Sequence, residues 1–170
     1  IRPDDGRPTY DRFRNRLMFP IADFRGRVIA FGGRALAADV AAKYLNSPET
    51  ELFHKRQTLY NGQTARQAAY DGKPLIVVEG YLDVIAAVSA GFEGAVAPLG
   101  TALTEDHLTL LWRMSHIPVL CFDGDSAGTP AADRAADLAV ANPYWNPRPV
   151  ERDAIRKLLQ AAWAGEELAV

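Results

Sequence analysis

The chain has 170 residues, enough for one medium domain or a small one with an appendage, and 48% apolar content is ample for a core. No apolar run approaches the ~20 residues of a membrane span and no charged-then-apolar leader opens the chain, which starts at Ile1 rather than Met and so reads as a piece of a longer polypeptide. The net charge of −2 hides a split, with a basic front (+5 over residues 1–73) and an acidic back (−7 over 74–170); this suits a polyanion held by one half and metal ions by the other, or is ordinary solvated charge.

Arg2 to Asp11 is polar and rich in Pro and Gly, a loose opening loop. Leu17–Ile21 and Val28–Phe31 flank Asp23-Phe-Arg-Gly26, which predicts a hairpin with Gly at the turn. Gly32-Gly-Arg34 comes next and would allow close backbone approach of a ligand. Ala35 to Ala42 reads as a loop or short helix. Lys43 to Thr50, with Asn46-Ser-Pro48, is polar and expected on the surface. Tyr60 to Tyr70 reads as a helix with Ala65, Ala68 and Ala69 packable and Arg66 outward, bridging the basic front to the apolar strands downstream.

Lys73-Pro-Leu-Ile-Val-Val-Glu-Gly80 carries four apolar, mostly β-branched residues in a row, as in a strand buried on both faces of a parallel sheet. It stops on a carboxylate, Glu79, and a glycine that lets the chain turn. Tyr81 to Ala90 reads as a helix with Leu82, Ile85 and Val88 on one side. Gly94–Gly100 is a short strand ending in a Gly-Thr turn. Thr104 is a good N-cap, with Glu105 and Asp106 in the first turn and Leu108, Leu111 and Trp112 on the buried face of the next helix. Ile117–Phe122 repeats the strand design and runs into Asp123-Gly-Asp125. Its Cys121 is expected in the core; a lone cysteine makes no internal disulfide, which fits a reducing compartment. Strand, helix, strand, helix, strand predicts an α/β fold with a parallel sheet and right-handed crossovers.

In open α/β sheets ligands gather at the carboxyl ends of the strands, where Glu79, Asp123 and Asp125 would converge on one edge. Asp123 and Asp125 point to the same side of extended backbone, roughly 6–7 Å apart along the chain. Neighbouring carboxylates repel unless a proton or cation lies between them, and hard divalent cations with oxygen ligands fit, Mg²⁺ first when phosphates are also bound. The plainer alternative is two separate acidic loop ends. His54, His107 and His116 share no metal-ligand spacing and are expected at the surface or as caps. The aromatics show no interleaved stacking platform of the single-strand-binding kind.

Glu79-Gly-Tyr-Leu-Asp-Val84, Pro98-Leu-Gly-Thr101 and Phe122-Asp-Gly-Asp-Ser-Ala-Gly128 resemble the Toprim domain of bacterial DnaG-type primases. Arg16-Leu-Met-Phe-Pro-Ile21, Gly26–Arg34, Lys43-Tyr-Leu-Asn-Ser-Pro-Glu-Thr50 and Phe53-His-Lys55 resemble the primases' own basic subdomain, which other Toprim proteins lack. The resemblance covers roughly Tyr10 to Leu138. It implies three regions: residues 1–72 as the carboxy-terminal part of the basic template- and nucleotide-binding subdomain, 73–141 as an incomplete Toprim domain, and 142–170 as a divergent Pro-rich linker and helical tail. Past Gly128 the chain departs from the family. Thr129-Pro130 starts a helix over 131–141. Asn142–Pro149 then breaks the chain before a polar helix, Val150 to Trp163. No further acidic pair completes the metal site; Asp133 and Asp137 are four apart on one helix face and are read as solvated.

The resemblance further implies Mg²⁺-dependent nucleotidyl transfer, with Mn²⁺ as a substitute, to make short RNA primers on single-stranded DNA. Glu79, Asp123 and Asp125 would be the catalytic and metal-binding set, Glu79 as either a third ligand or a base. Gly80 and Asp83 sit beside it, Asp83 toward a metal-bound water. Arg34, Lys43, Tyr44, Asn46 and Lys55 would face the nucleotide or nascent primer. Expected partners are the DNA template, nucleoside triphosphates, the RNA primer and, through a domain absent here, the replicative helicase, with no membrane partner. The expected place is the bacterial cytoplasm, at replication forks. No zinc is expected, since the family's zinc-binding domain is not in these residues. Two readings compete: a truncated, catalytically incomplete Toprim module that binds metal and nucleic acid, and a Toprim nuclease or topoisomerase-like protein.

Overall fold

The structure is a computed structural model that describes residues 9–100 and 103–122, with Pro130, Asp133, Arg134, Ala136 and Asp137. Two sheets dominate. The first is antiparallel, in the order β1-β2-β3, from β1 (Arg16–Ala22), β2 (Val28–Ala35) and β3 (Tyr44–Asn46). The predicted hairpin is there. Asp23 Oδ1 accepts the backbone N–H groups of Arg25 and Arg27, both at 2.9 Å, and Gly26 takes the left-handed φ of 80° that closes the turn. Burial alternates as the pleat requires, with Phe19 and Ile21 inward and Met18 and Pro20 outward.

One expectation for this region needs correction. Gly32-Gly-Arg34 does not wait for a ligand's backbone approach but continues β2. A Cβ on Gly32 would come 2.8 Å from the Tyr81 ring, and one on Gly33 2.8 Å from Phe13, so the close approach is made by the protein's own aromatics. Lys43 to Thr50 lies at the surface as expected, exposed but for the half-buried Leu45, Asn46 and Ser47, and within it Tyr44–Asn46 forms β3, which pairs with Gly32–Arg34. Polar side chains do not oppose an edge strand, whose stability comes from main-chain pairing.

The second sheet has the order β4-β6-β5-β7, from β4 (Leu59–Tyr60), β5 (Ile76–Val77), β6 (Ala95–Pro98) and β7 (Val119–Leu120). β5 runs parallel to both β6 and β7, while β4 joins antiparallel to β6. The hydrogen bonds Val78 N to Val96 O and Cys121 N to Val77 O carry the ladder past the short strand cores. The run 75–78 is buried on both sides as expected. Leu75 and Val77 join Leu59, Ala65, Val96, Leu108 and Leu111 in one cluster, and Val78 joins Val84, Ala95 and Ala97 in another.

Helix α1 (Gly62–Tyr70) buries Ala65 and Ala68. It starts two residues later than the pattern suggests, because Tyr60 belongs to β4 and Asn61, at φ 62°, makes the corner. Helix α2 (Tyr81–Ser89) is turned relative to expectation: Tyr81 and Val84 are buried, whereas Leu82 and Ile85 are 39% and 41% exposed. One residue is about 100° of helix, so giving the inward place to Tyr81 swings Leu82 out.

Helix α3 (Glu105–Met114) starts at Thr104 as predicted and buries Leu108 and Leu111, with Trp112 half-buried. Ile117, within the run expected as a strand, lies outside β7 and is 79% exposed. Cys121 is exposed, against the expected core position. β7 is the sheet's edge among the described residues; Leu120 and Phe122 pack on the α3 side, and Val119 and Cys121 alternate away from it. Pro130, Asp133, Arg134, Ala136 and Asp137 are helical, within the stretch expected as a helix after Thr129. The tail over 142–170 lies outside the described residues. No helix among those described is long and apolar enough to cross a membrane.

Candidate nucleotide and metal site

Glu79 leaves β5 at its carboxyl end and is exposed. Val77 and Leu120 are register partners, so Glu79 and Phe122 each stand two residues beyond them at the same sheet edge. Phe122 is the last described residue before Asp123. Asp123 and Asp125 themselves lie outside the described residues. Among those described, no group of three His, Cys, Asp or Glu side chains could hold a metal ion. The oxygen donors of an exposed carboxylate at a strand's carboxyl end fit one position of a hard-cation site.

Gly80 is the N-cap of α2 and donates its N–H to Asp83 Oδ2 at 3.0 Å. Asp83 therefore holds the helix start from its third position, where a carboxylate also complements the helix dipole. The turn carrying Glu79 is anchored at its next residue.

The basic half meets this edge through one face of the first sheet. Arg34 is paired with Tyr44 and Gly32 with Asn46, and residues directly opposite across a ladder project to the same side. Gly32 carries the Tyr81 ring, so Arg34, Tyr44 and Asn46 share the face turned toward the start of α2. Arg34 is half-buried, and its Nε is buried with no hydrogen-bond partner among the described residues. A buried donor without an acceptor calls for one, and a phosphate oxygen would serve.

Tyr44 is exposed, with its ring 6.4 Å from that of Tyr81. Asn46 is heavily engaged: Nδ2 donates to Leu99 O at 3.2 Å, Oδ1 accepts the Tyr81 hydroxyl, and its carbonyl accepts Arg12 Nε at 2.9 Å. Lys43 is exposed just before β3, and its carbonyl is taken by Ala35 N at 2.8 Å. Lys55 opens a 3₁₀ turn (Lys55–Gln57), with its N–H on Glu49 Oε1 at 3.2 Å and its carbonyl held by His107 Nε2 at 2.8 Å.

Two residues that position this site were not singled out for it from sequence. His107 is fully buried rather than at the surface, although the capping role expected of the histidines holds: its N–H goes to Thr104 Oγ1 and its Nδ1 accepts the Thr104 N–H, both at 3.3 Å. With Nδ1 accepting, Nε2 carries the proton that binds Lys55 O. Burial holds its pKa below the ordinary imidazole value, against hydrogen bonds to the Lys55 and Thr58 backbone and the Asp106 charge, which act upward. The signal was readable, since Thr104-Glu-Asp-His107 has capping-box spacing with His in the place of Glu.

Tyr81 is the other. It stacks on Phe19 at 5.3 Å and meets Tyr60 edge-on at 4.8 Å. Burial pushes its pKa up to about 12, with the neighbouring Tyr60 adding to the rise and the Asn46 bond opposing it. It is therefore a neutral donor at physiological pH.

Residues 1–66 match the family described as the N-terminal domain of the DNA primase catalytic core, and residues 73–146 match the Toprim domain. The DNA primase of Pseudomonas aeruginosa is 52% identical over 142 residues, 84% of this chain and 21% of that protein, so the chain spans about a fifth of that relative's length. A crystal structure of a DNA primase domain from the same organism superposes with a TM-score of 0.79 at 43% identity, covering 97% of this chain and 54% of that one. The DnaG primase catalytic domain solved bound to single-stranded DNA gives 0.70 at 43% identity, covering 92% of this chain and 52% of that one. Toprim domains and primases are metal-dependent as a class. The antiparallel sheet, the Toprim sheet beside it and the motifs along both place this chain in the family of DnaG-type DNA primases, as part of their catalytic core.

Proposed function

We propose that the chain contributes to template-directed synthesis of short RNA primers on single-stranded DNA, as part of a primase acting at replication forks in the bacterial cytoplasm. The observation that carries the reading is the face shared by Arg34, Tyr44 and Asn46, with a buried guanidinium Nε that has no partner among the described residues, set against the start of the helix just after Glu79. A triphosphate has both things this seam asks for: acceptor oxygens for Arg34, Lys43 and Lys55, and a bound divalent cation for the carboxylates. A relative solved with single-stranded DNA supports a DNA template as the further partner.

In this reading residues 1–72 are the basic subdomain, which lends β4 to the second sheet, 73–141 are the Toprim unit and 142–170 a Pro-rich linker and helical tail, with α1 bridging the first two. Glu79, Asp123 and Asp125 would hold Mg²⁺, or Mn²⁺ in its place. Such an ion would supply charge stabilisation for an in-line displacement at phosphorus. Arg34, Lys43 and Lys55 neutralise and orient the phosphates, Tyr44 lies against the nucleotide or primer, and the Gly80 turn keeps Glu79 at the edge with Asp83 beside it. Contact with the replicative helicase belongs to a domain outside these residues.

Primer synthesis on single-stranded DNA, with Mg²⁺ and then Mn²⁺, tests the reading when wild type is run beside Asp123→Ala. Products from wild type that vanish in the variant are expected. Equal products from both would remove Asp123 from the chemistry. No products from wild type, with Mg²⁺ binding retained, would make the chain a metal- and nucleic-acid-binding module.

A further inference from the structure

We infer that Tyr81 is a positioning residue, whose hydroxyl on Asn46 sets the basic strand β3 at a fixed distance from the carboxylate edge. The inference rests on the reading above and reassigns Asn46 from nucleotide contact to one half of a latch. Three observations carry it. Tyr81 is the first residue of α2, two positions after Glu79, so its ring and the carboxylate hang on the same turn. The ring is clamped, flat on Phe19, edge-on to Tyr60 and pressed on Gly32, where even a methyl group would collide at 2.8 Å. From that fixed ring the hydroxyl reaches Asn46 Oδ1, while the same amide's Nδ2 donates to Leu99 O at the end of β6.

One asparagine on the basic sheet is thus tied to the two turns that leave β5 and β6. Those bonds use one of its two amide protons and one of its two carbonyl lone pairs and fix the amide's orientation, so its first role is to join the turns rather than to hold substrate. Its neighbours Tyr44 and Arg34, on the same face, are left to do that. A ligand that bridges the halves, a triphosphate carrying a divalent cation, feels the distance between them. A ligand confined to one half does not.

The test is the coupling between Mg²⁺ and ATP, measured by titration calorimetry on the protein and on Tyr81→Phe, which keeps the ring. Affinity for ATP in saturating Mg²⁺ is expected to fall roughly five- to tenfold, the size of one well-placed hydrogen bond. Affinities for Mg²⁺ alone and for metal-free ATP are expected to stay within about twofold, since each engages one half. Asn46→Ala should give a similar loss, and Tyr81→Phe added to it should cost nothing more, as two ends of one contact behave.

A lowered melting temperature with unchanged coupling would make the latch structural only and overturn the inference. An equal loss of ATP affinity with and without Mg²⁺ would mean that Tyr81 touches the nucleotide itself, which also overturns it. Wild type binding neither Mg²⁺ nor ATP would instead sink the proposed function on which the inference stands.

Discussion

The two sheets are held by different forces. The mixed sheet is an apolar sandwich: Leu75, Val77, Val96 and Leu111 are fully buried, and side chains from both of its faces reach hydrophobic clusters. The antiparallel sheet buries Phe19, Ile21 and Ala30 and leaves Met18, Val28 and Phe31 between about a third and a half exposed, at 37%, 54% and 43%. It leans instead on side chains that bind main-chain carbonyls. Arg16 reaches Gly33 O at 3.2 Å, Lys43 O at 3.3 Å and Ala42 O at 2.8 Å, and Ser47 exchanges hydrogen bonds with the Phe31 backbone. Under the proposed function the contrast has a reason: a region that would meet a polyanion keeps polar side chains as its mortar, whereas the edge carrying Glu79 is set on a dry base that fixes its geometry.

The contrast can be broken at its strongest point first. Leu111→Ala, at a fully buried position, should destabilise by about 2–5 kcal/mol in chemical denaturation, the range for large-to-small core changes. Glu79→Gln at the exposed edge of the same sheet should leave that transition in place and lower primer synthesis by about a hundredfold or more. A melting transition lost together with activity would contradict a purely chemical role for Glu79. In the other sheet, Arg16→Ala removes three bonds in a partly solvated setting and should cost about 1 kcal/mol. A loss as large as that of Leu111→Ala would erase the distinction between the sheets.

The pH dependence of stability gives a finer comparison. The His107 pKa is lowered on folding, so the unfolded chain takes up protons more readily below its ordinary value of 6.5. Its contribution is fully present above that pH and is lost as pH falls beneath it. Tyr81, raised from 10.0 to about 12, behaves oppositely: its contribution is present below pH 10 and is lost as pH rises from there toward 12. Unfolding tracked across pH with His107→Gln should show a flatter acid limb than wild type; an identical limb would mean that other groups set it.

Much of the architecture is legible in the sequence because its signals are local. Asp23 and Gly26 encode the hairpin turn, Thr104 encodes the start of α3, and the apolar run 75–78 encodes a strand with two buried faces. The features that escape a sequence reading depend on partners far along the chain. β4 is two residues long and defined by β6, more than thirty residues later. The phase of α2 is hidden because Tyr81 looks polar, whereas its ring fills the seam between the sheets. The site divides in the same way. Glu79 can be placed from the strand, carboxylate and glycine around it, but the engagement of Asn46 with Leu99 and Tyr81 cannot, since those partners lie 53 and 35 residues away.

The strand β4 has a bearing on how this protein can be dissected or recombined. Sequence motifs invite a cut near residue 72, yet Leu59 and Tyr60 complete the sheet by pairing with Pro98 and Ala97. Severed there, the downstream piece would present β6 as an open border of unpaired amides and carbonyls, a template for intermolecular stacking. A graft of this Toprim sheet onto another scaffold has to carry its upstream selvedge with it, from Leu59 onward.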